Sequence, residues 1–192
     1  HAFWQANYNQ LVNLFPEFKD VSVDELVNMI NKTECALIRT EADELTYPLH
    51  IMVRYEIEKE IAKGNVDYDK LPEVWADKYE EYLGVRPTNY KEGVLQDMHW
   101  STGYLGYFPT YALGSAYAAQ LYATMEKQFD VEEALLTNHF EKITNWLKEN
   151  VHHYAASKSM AEIVEEVSGE PFNPDYYTDY LIKKYKKLYN LD

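Results

Sequence analysis

The chain has 192 residues, enough for one domain with a proper core or for a piece of a larger one. Its formal charge of −14, from 32 acidic and 18 basic residues, repels phosphate backbones and argues against nucleic acid as a partner. A single cysteine excludes an intrachain disulfide, and there is neither a signal peptide nor an apolar run long enough for a bilayer, so a cytoplasmic protein with no membrane partner is expected.

Helical periodicity runs along nearly the whole chain. Residues 2–14 read as a helix stopped before Pro16. Ser22 and Glu25 form a capping box that opens a helix to about Lys32. Cys35 stands before Ala36, Leu37 and Ile38 and is expected to be a small buried hydrophobe. Residues 41–63 place Leu45, Leu49, Met52, Val53 and Ile57 on one stripe, with Pro48 either kinking the helix or marking its start and Gly64 ending it. A helix over 72–83 follows, with Pro72 in its first turn and Gly84 as its stop.

Residues 85–108 hold Pro87, Gly93, Gly103 and Gly106 and keep no period, so they read as a loop-rich segment. Pro109 opens an Ala- and Tyr-rich helix to about Gln128. Asp130 with Glu133 caps a helix to about Asn150, and Ser159 with Glu162 caps another that stops at Gly169. Asn173-Pro174 starts the last helix, residues 174–189, whose Lys183 to Lys187 form a solvated face rather than a basic patch. No strand pattern or internal repeat stands out, so the expectation is an all-α single unit over residues 1–192.

Two polar clusters lie in apolar surroundings. In "IRTEADELTYPLH", residues 38–50, Arg39 follows Ala36-Leu37-Ile38 and needs an anionic partner if buried. It either pairs with Asp43 at helical spacing or presents its fork to a ligand carboxylate. His50 follows Pro48 and is a candidate member of the same cluster. In "GVLQDMHWSTGYLGYFPTYALG", residues 93–114, His99, Tyr104, Tyr107 and Tyr111 are interrupted by glycines that let the backbone approach closely. Imidazole and phenol groups there either stabilise an oxyanion or form a Tyr-rich core layer around a histidine held by Asp97. The 18 tyrosines suit such half-buried walls, because the ring packs while the hydroxyl bonds. The remaining histidines carry less: His139 sits on a helix, and His152-His153 read as an exposed helix end.

No histidine pair stands at i and i+4, and there is no C-x-x-C, phosphate-cradling Gly loop or G-x-S-x-G, so no metal ligands are assigned within the chain. Ile38-Arg39-Thr40-Glu41-Ala42-Asp43 matches I-R-x-x-A-D, and Gly93-Val94-Leu95-Gln96-Asp97-Met98-His99-Trp100 matches G-x-x-Q-D-x-H-W. With these two motifs and their flanks, the chain resembles the carboxypeptidase Taq family of zinc metallocarboxypeptidases over essentially its whole length.

The resemblance implies a mainly helical C-terminal portion of a larger metallopeptidase fold with an active-site groove. That family's H-E-x-x-H and H-E-[SG]-Q motifs, which supply the zinc ligands and the catalytic glutamate, precede I-R-x-x-A-D and are absent here. A start at His1-Ala2-Phe3-Trp4 without Met is in keeping with a chain that begins after them. The implied cofactor is zinc, with cobalt as a substitute, bound by the N-terminal portion. The implied partners are peptide substrates, that N-terminal portion and a second copy in a homodimer.

By the same resemblance Arg39 grips the substrate carboxylate, His99 donates to the oxyanion with Tyr107 beside it, and Asp97 fixes the His99 tautomer. Gln96 and Trp100 shape the wall, and Tyr104 is a further substrate contact. The alternatives are a non-catalytic helical peptide-binding module and a purely structural helical domain.

Overall fold

The computed structural model describes all 192 residues, and it is helical with no strand. The chain gathers into two compact units: one is Asn31–Gly114, the other His1–Ile30 together with Ser115–Asp192.

The two-segment unit opens with α1 (Ala2–Leu14) and α2 (Val23–Ile30). The predicted capping box is present: the Glu25 carboxylate accepts the Ser22 backbone N–H at 2.8 Å, and Ser22 Oγ accepts the Glu25 N–H at 3.2 Å. After the chain's central stretch come α5 (Pro109–Glu126), α6 (Val131–Leu136), α7 (Phe140–Asn150), α8 (Met160–Ser168) and α9 (Asp175–Tyr189). Ser159 and Glu162 again form a complete box, and Gly169 closes α8 at φ 81°. The core gathers Leu121, Met125, Val131, Trp146 and Val164, with the Trp146 indole donating to Gln128 Oε1 at 2.9 Å.

One helix expected from Asp130 to Asn150 is in fact two. Asn138 takes a left-handed φ of 57°, and the His139 N–H turns back to Ala134 O at 2.8 Å. Asparagine tolerates that conformation better than most residues, and here its side chain also accepts from Asn7 Nδ2 on α1 at 2.9 Å. A contact from more than a hundred residues away breaks the helix.

The central unit is built on α3 (Tyr47–Ala62) and α4 (Leu71–Leu83). Pro48 sits in the first turn of α3 and marks its start rather than a kink. The residues before it turn back on themselves around Asp43, whose carboxylate accepts from Thr33 Oγ1, the Glu34, Leu45 and Thr46 N–H groups and Thr46 Oγ1. Those donors hold its pKa below the usual carboxylate range against the opposing effect of burial. Gly84 ends α4 at φ 67°. Val53, Ile57, Trp75, Tyr79 and Leu83 form the core between the two helices. Cys35 is exposed, contrary to expectation: its segment is irregular, and burying Leu37 and Ile38 in part leaves the cysteine outside. No helix is long and apolar enough to cross a membrane.

Candidate functional site

Everything singled out in the two clusters lies in the central unit, on its irregular segments, on α3 and, for Tyr111, on the first turn of α5, which begins within that unit. Arg39 opens a short 3-10 turn, Arg39–Glu41, and is only 7 % exposed. Its partner is not Asp43, which the loop amides and hydroxyls occupy. It is Asp97, from a segment 58 residues further on: Arg39 Nη2 donates to Oδ1 at 2.7 Å and Nε to the same oxygen at 3.2 Å. Arg39 Nη1 donates to the Tyr47 hydroxyl at 3.0 Å. A guanidinium carries two N–H groups on each terminal nitrogen. These bonds therefore leave Arg39 one further N–H on Nη1 and one on Nη2. Burial disfavours its charge, but Asp97 and Tyr47 more than offset this and hold its pKa above the ordinary value.

The other oxygen of Asp97 belongs to a second arginine that the motifs do not contain. Arg54 of α3 is fully buried, and its Nε donates to Asp97 Oδ2 at 2.7 Å while Nη2 lies 2.6 Å from the same atom. Its remaining contacts are protein groups too: Nη1 donates to His50 O at 2.6 Å and Tyr79 OH at 3.1 Å, and Nη2 to Gln96 Oε1 at 2.9 Å. The guanidinium lies 4.5 Å from the Trp75 ring centre, a cation–π contact worth on the order of 2 kcal/mol when desolvated. Burial raises the pKa of Asp97, yet the two arginines overcome it and keep the carboxyl below its usual range.

Gln96 is a clamp with every polar atom engaged. Its Oε1 also accepts the Arg39 backbone N–H at 3.1 Å, and its Nε2 donates to Leu37 O and Glu92 O, both at 3.0 Å. It ties the segment before Arg39 to the one before Asp97. The turn beneath it is tight: a Cβ on Gly93 would stand 3.1 Å from Asn89 O.

His50 is 0 % exposed, with Nδ1 3.0 Å from Tyr79 OH and Nε2 without a partner. Tyr79 OH accepts from Arg54 Nη1 and so links His50 to Arg54 through one hydroxyl. Burial, with Arg54 and Arg39 adding to it, pushes the His50 pKa down to about 4.

His99 is not joined to Asp97. Its Nε2 stands 3.1 Å from Tyr111 OH, and its Nδ1 is buried without a partner. Four aromatic groups cluster there: Phe108 is 4.4 Å from the imidazole centre, and Tyr107 stacks on it at 5.8 Å with an interplanar angle of 26°. Tyr111 meets the imidazole edge-on and also lies 5.0 Å beneath the Arg39 guanidinium, so the histidine and the arginine share a wall. Tyr104 and Tyr107 are exposed, 6.1 Å apart. Trp100 faces the core: its indole donates to Glu58 Oε1 at 2.9 Å and meets Trp75 edge-on.

The structure thus gathers Arg39, Gln96 and Asp97 into one network, sets His99 with Tyr107 and Tyr111 beside it, and turns Trp100 inward. Arg54 and Tyr79 were not predicted as site residues, whereas His50 was a candidate for the Arg39 cluster and lies beside it, joined to Arg54 through Tyr79. A signal for Arg54 was present: His50, Arg54 and Glu58 recur at four-residue steps among the buried Ile51, Val53 and Ile57. A charged residue repeated along a buried stripe points to a partner supplied by the fold. No group of His, Cys, Asp and Glu side chains in the chain comes together to hold a metal ion.

An all-helical chain with a buried arginine–aspartate–arginine network beside a histidine–tyrosine wall belongs among the carboxypeptidase Taq (M32) metallopeptidases, whose family profile matches residues 1–185. It is 46% identical over 191 residues to carboxypeptidase 1 of Bacillus subtilis, spanning 98% of this chain and 38% of that protein. Identity is 39% over 189 residues with thermostable carboxypeptidase 1 of Thermus thermophilus, covering 98% of this chain and 37% of the relative. The crystal structure of the M32 carboxypeptidase from Deinococcus radiodurans R1 superposes with a TM-score of 0.95 at 35% identity, over 98% of this chain and 39% of the other. The chain therefore spans well under half the length of these relatives. The residues present do not form the metal centre that the family's name implies, and the chemistry legible in them is binding and orientation.

Proposed function

We propose that this chain is the C-terminal portion of a zinc-dependent carboxypeptidase that releases C-terminal amino acids from peptides. Its part is the substrate-carboxylate and oxyanion side of the pocket, and it is inactive alone. The metal ligands lie in the portion of the relatives that it does not span. Arg39 holds the terminal carboxylate through its one remaining N–H on each of Nη1 and Nη2, a two-point grip. His99 donates to the oxyanion, flanked by Tyr107; Tyr104 belongs to the surrounding wall, and Trp100, turned inward onto Glu58 and Trp75, backs that wall from the core side. Gln96 and Asp97 act on the substrate through Arg39. Peptides are the substrates, the rest of the enzyme is the obligatory partner, and the assembled protein is a cytoplasmic homodimer.

The observation that carries this reading is the environment of Arg39: a guanidinium braced on one edge by Asp97 and Tyr47, with the Tyr111 ring beneath it and Tyr111 in turn bonded to His99. A carboxylate receptor and an oxyanion donor then share one aromatic wall. The test is hydrolysis of a blocked dipeptide with added zinc or cobalt, by this chain alone and joined to the remaining portion. Activity in the joined form only is expected. Inactivity of both overturns the proposal.

A further inference from the structure

Asp97 touches two arginines and carries one negative charge. Arg54 takes Oδ2 through Nε and Nη2, and Arg39 takes Oδ1. Nearby carboxylates do not make up the difference by contact. Asp43 is spent on five donors of its own loop, and Glu58 Oε1 holds the Trp100 indole. Tyr47 and Tyr79, which accept from the two arginines, are neutral phenols, and His50 is buried and bonded to Tyr79. The cluster in direct contact is therefore one positive charge in excess.

That excess resides on Arg39. Arg54 is 0 % exposed and every one of its nitrogens is engaged by protein atoms, so no ligand reaches it. Arg39 alone retains uncommitted N–H groups and a side chain that is 9% exposed. We infer that Arg54 is a positioning residue that sets the charge of the site: by neutralising Asp97 from behind, it leaves Arg39 a net cation able to select an anionic peptide C-terminus over a neutral one. Without Arg54, Arg39 and Asp97 would form a closed neutral pair with little attraction for a further carboxylate. The inference rests on the reading of Arg39 as the carboxylate receptor.

The experiment is an NMR titration of this 192-residue chain with benzyloxycarbonyl-Ala-Phe and with the amide of the same dipeptide, which lacks the terminal charge. The wild-type chain is expected to prefer the acid by about tenfold or more. Arg54→Met brings that preference to near unity, whereas Arg54→Lys, which keeps the charge, retains most of it. The double variant Arg54→Met/Asp97→Asn removes one charge of each sign and restores the preference.

A merely structural arginine gives no such rescue, because the second substitution would compound the damage. If Arg54→Met does not fold, Asp97→Asn carries the same test with the opposite sign: it leaves two cations together and raises the preference for the acid. A preference unchanged in Arg54→Met, absent in the double variant, or lowered in Asp97→Asn overturns the role of Arg54. Equal binding of acid and amide by the wild type, or a preference that survives Arg39→Met, overturns the Arg39 reading and with it this one.

Discussion

The two compact units bury polar groups in opposite ways. In the two-segment unit the buried polar residues are Gln120 and Thr124, both neutral and both satisfied. Gln120 Nε2 donates to Ser168 Oγ at 3.0 Å and Pro171 O at 3.1 Å, its Oε1 accepts the Asn173 N–H at 2.9 Å, and Thr124 Oγ1 donates to Gln120 O. The central unit buries Arg39, His50, Arg54 and Glu58, and it leaves His50 Nε2, Glu58 Oε2, Trp75 Nε1 and His99 Nδ1 without partners. Fold stability explains the first pattern. It does not explain the second, because burying charge and leaving polar atoms unpaired each cost free energy that a purely structural core avoids. Chemistry is to be sought where a fold tolerates such costs.

The largest expected effect comes from breaking the charge cluster. Asp97→Leu leaves two buried guanidiniums facing each other, and urea denaturation should show a loss of about 3–5 kcal/mol. A loss below about 1 kcal/mol would mean that water reaches the cluster and that the contrast between the units is weaker than drawn.

Next comes pH. The His50 pKa is about 4 in the folded chain and about 6.5 in an unfolded one. Between those values the unfolded state binds a proton that the native state refuses. Stability from this residue is thus full above about pH 6.5 and falls as pH drops towards 4, by up to about 3 kcal/mol. Urea midpoints measured from pH 7 to 4 should follow this slope, and His50→Gln should flatten it. An unchanged slope in the variant assigns the acid sensitivity to other groups.

The neutral network should give less. Gln120→Leu leaves the Asn173 N–H without its acceptor and Pro171 O without its donor, for a predicted loss of about 1–3 kcal/mol that is insensitive to pH between 4 and 7. A pH-dependent loss would break the comparison, because it would reveal a charge coupled to that unit's core. The smallest effect expected is at a surface cap: Ser159→Ala removes one half of the α8 capping box and should cost about 1 kcal/mol in a thermal or urea melt.

Much of the local architecture was legible in advance. The boundaries of α1, α4, α8 and α9 and the irregular stretch between α4 and α5 follow from residues that act on their immediate neighbours, whereas the stripe over 41–63 left open whether Pro48 kinks α3 or starts it. Proline removes a donor, glycine tolerates positive φ, and Ser–x–x–Glu satisfies the first amides of a helix. The motif residues were legible as a set, but their mutual roles were not. Asp43, four residues away, was the protein partner considered for Arg39 beside a ligand carboxylate, and Asp97 was expected to hold His99 two residues away. The structure instead joins Arg39 to Asp97 and gives His99 to Tyr111.

The same distinction separates the break at Asn138 and the exposure of Cys35 from the helices around them. By itself the amino-acid sequence determined that the chain is helical, where most helices start and stop, and which side chains carry polar chemistry, because hydrogen-bond capping and apolar periodicity act over a few residues. Only the tertiary structure decided that Arg54 stands behind Asp97 and leaves Arg39 its charge. An ion's partner is chosen by which groups the packed helices bring within a few ångströms, and no spacing along the chain encodes that distance.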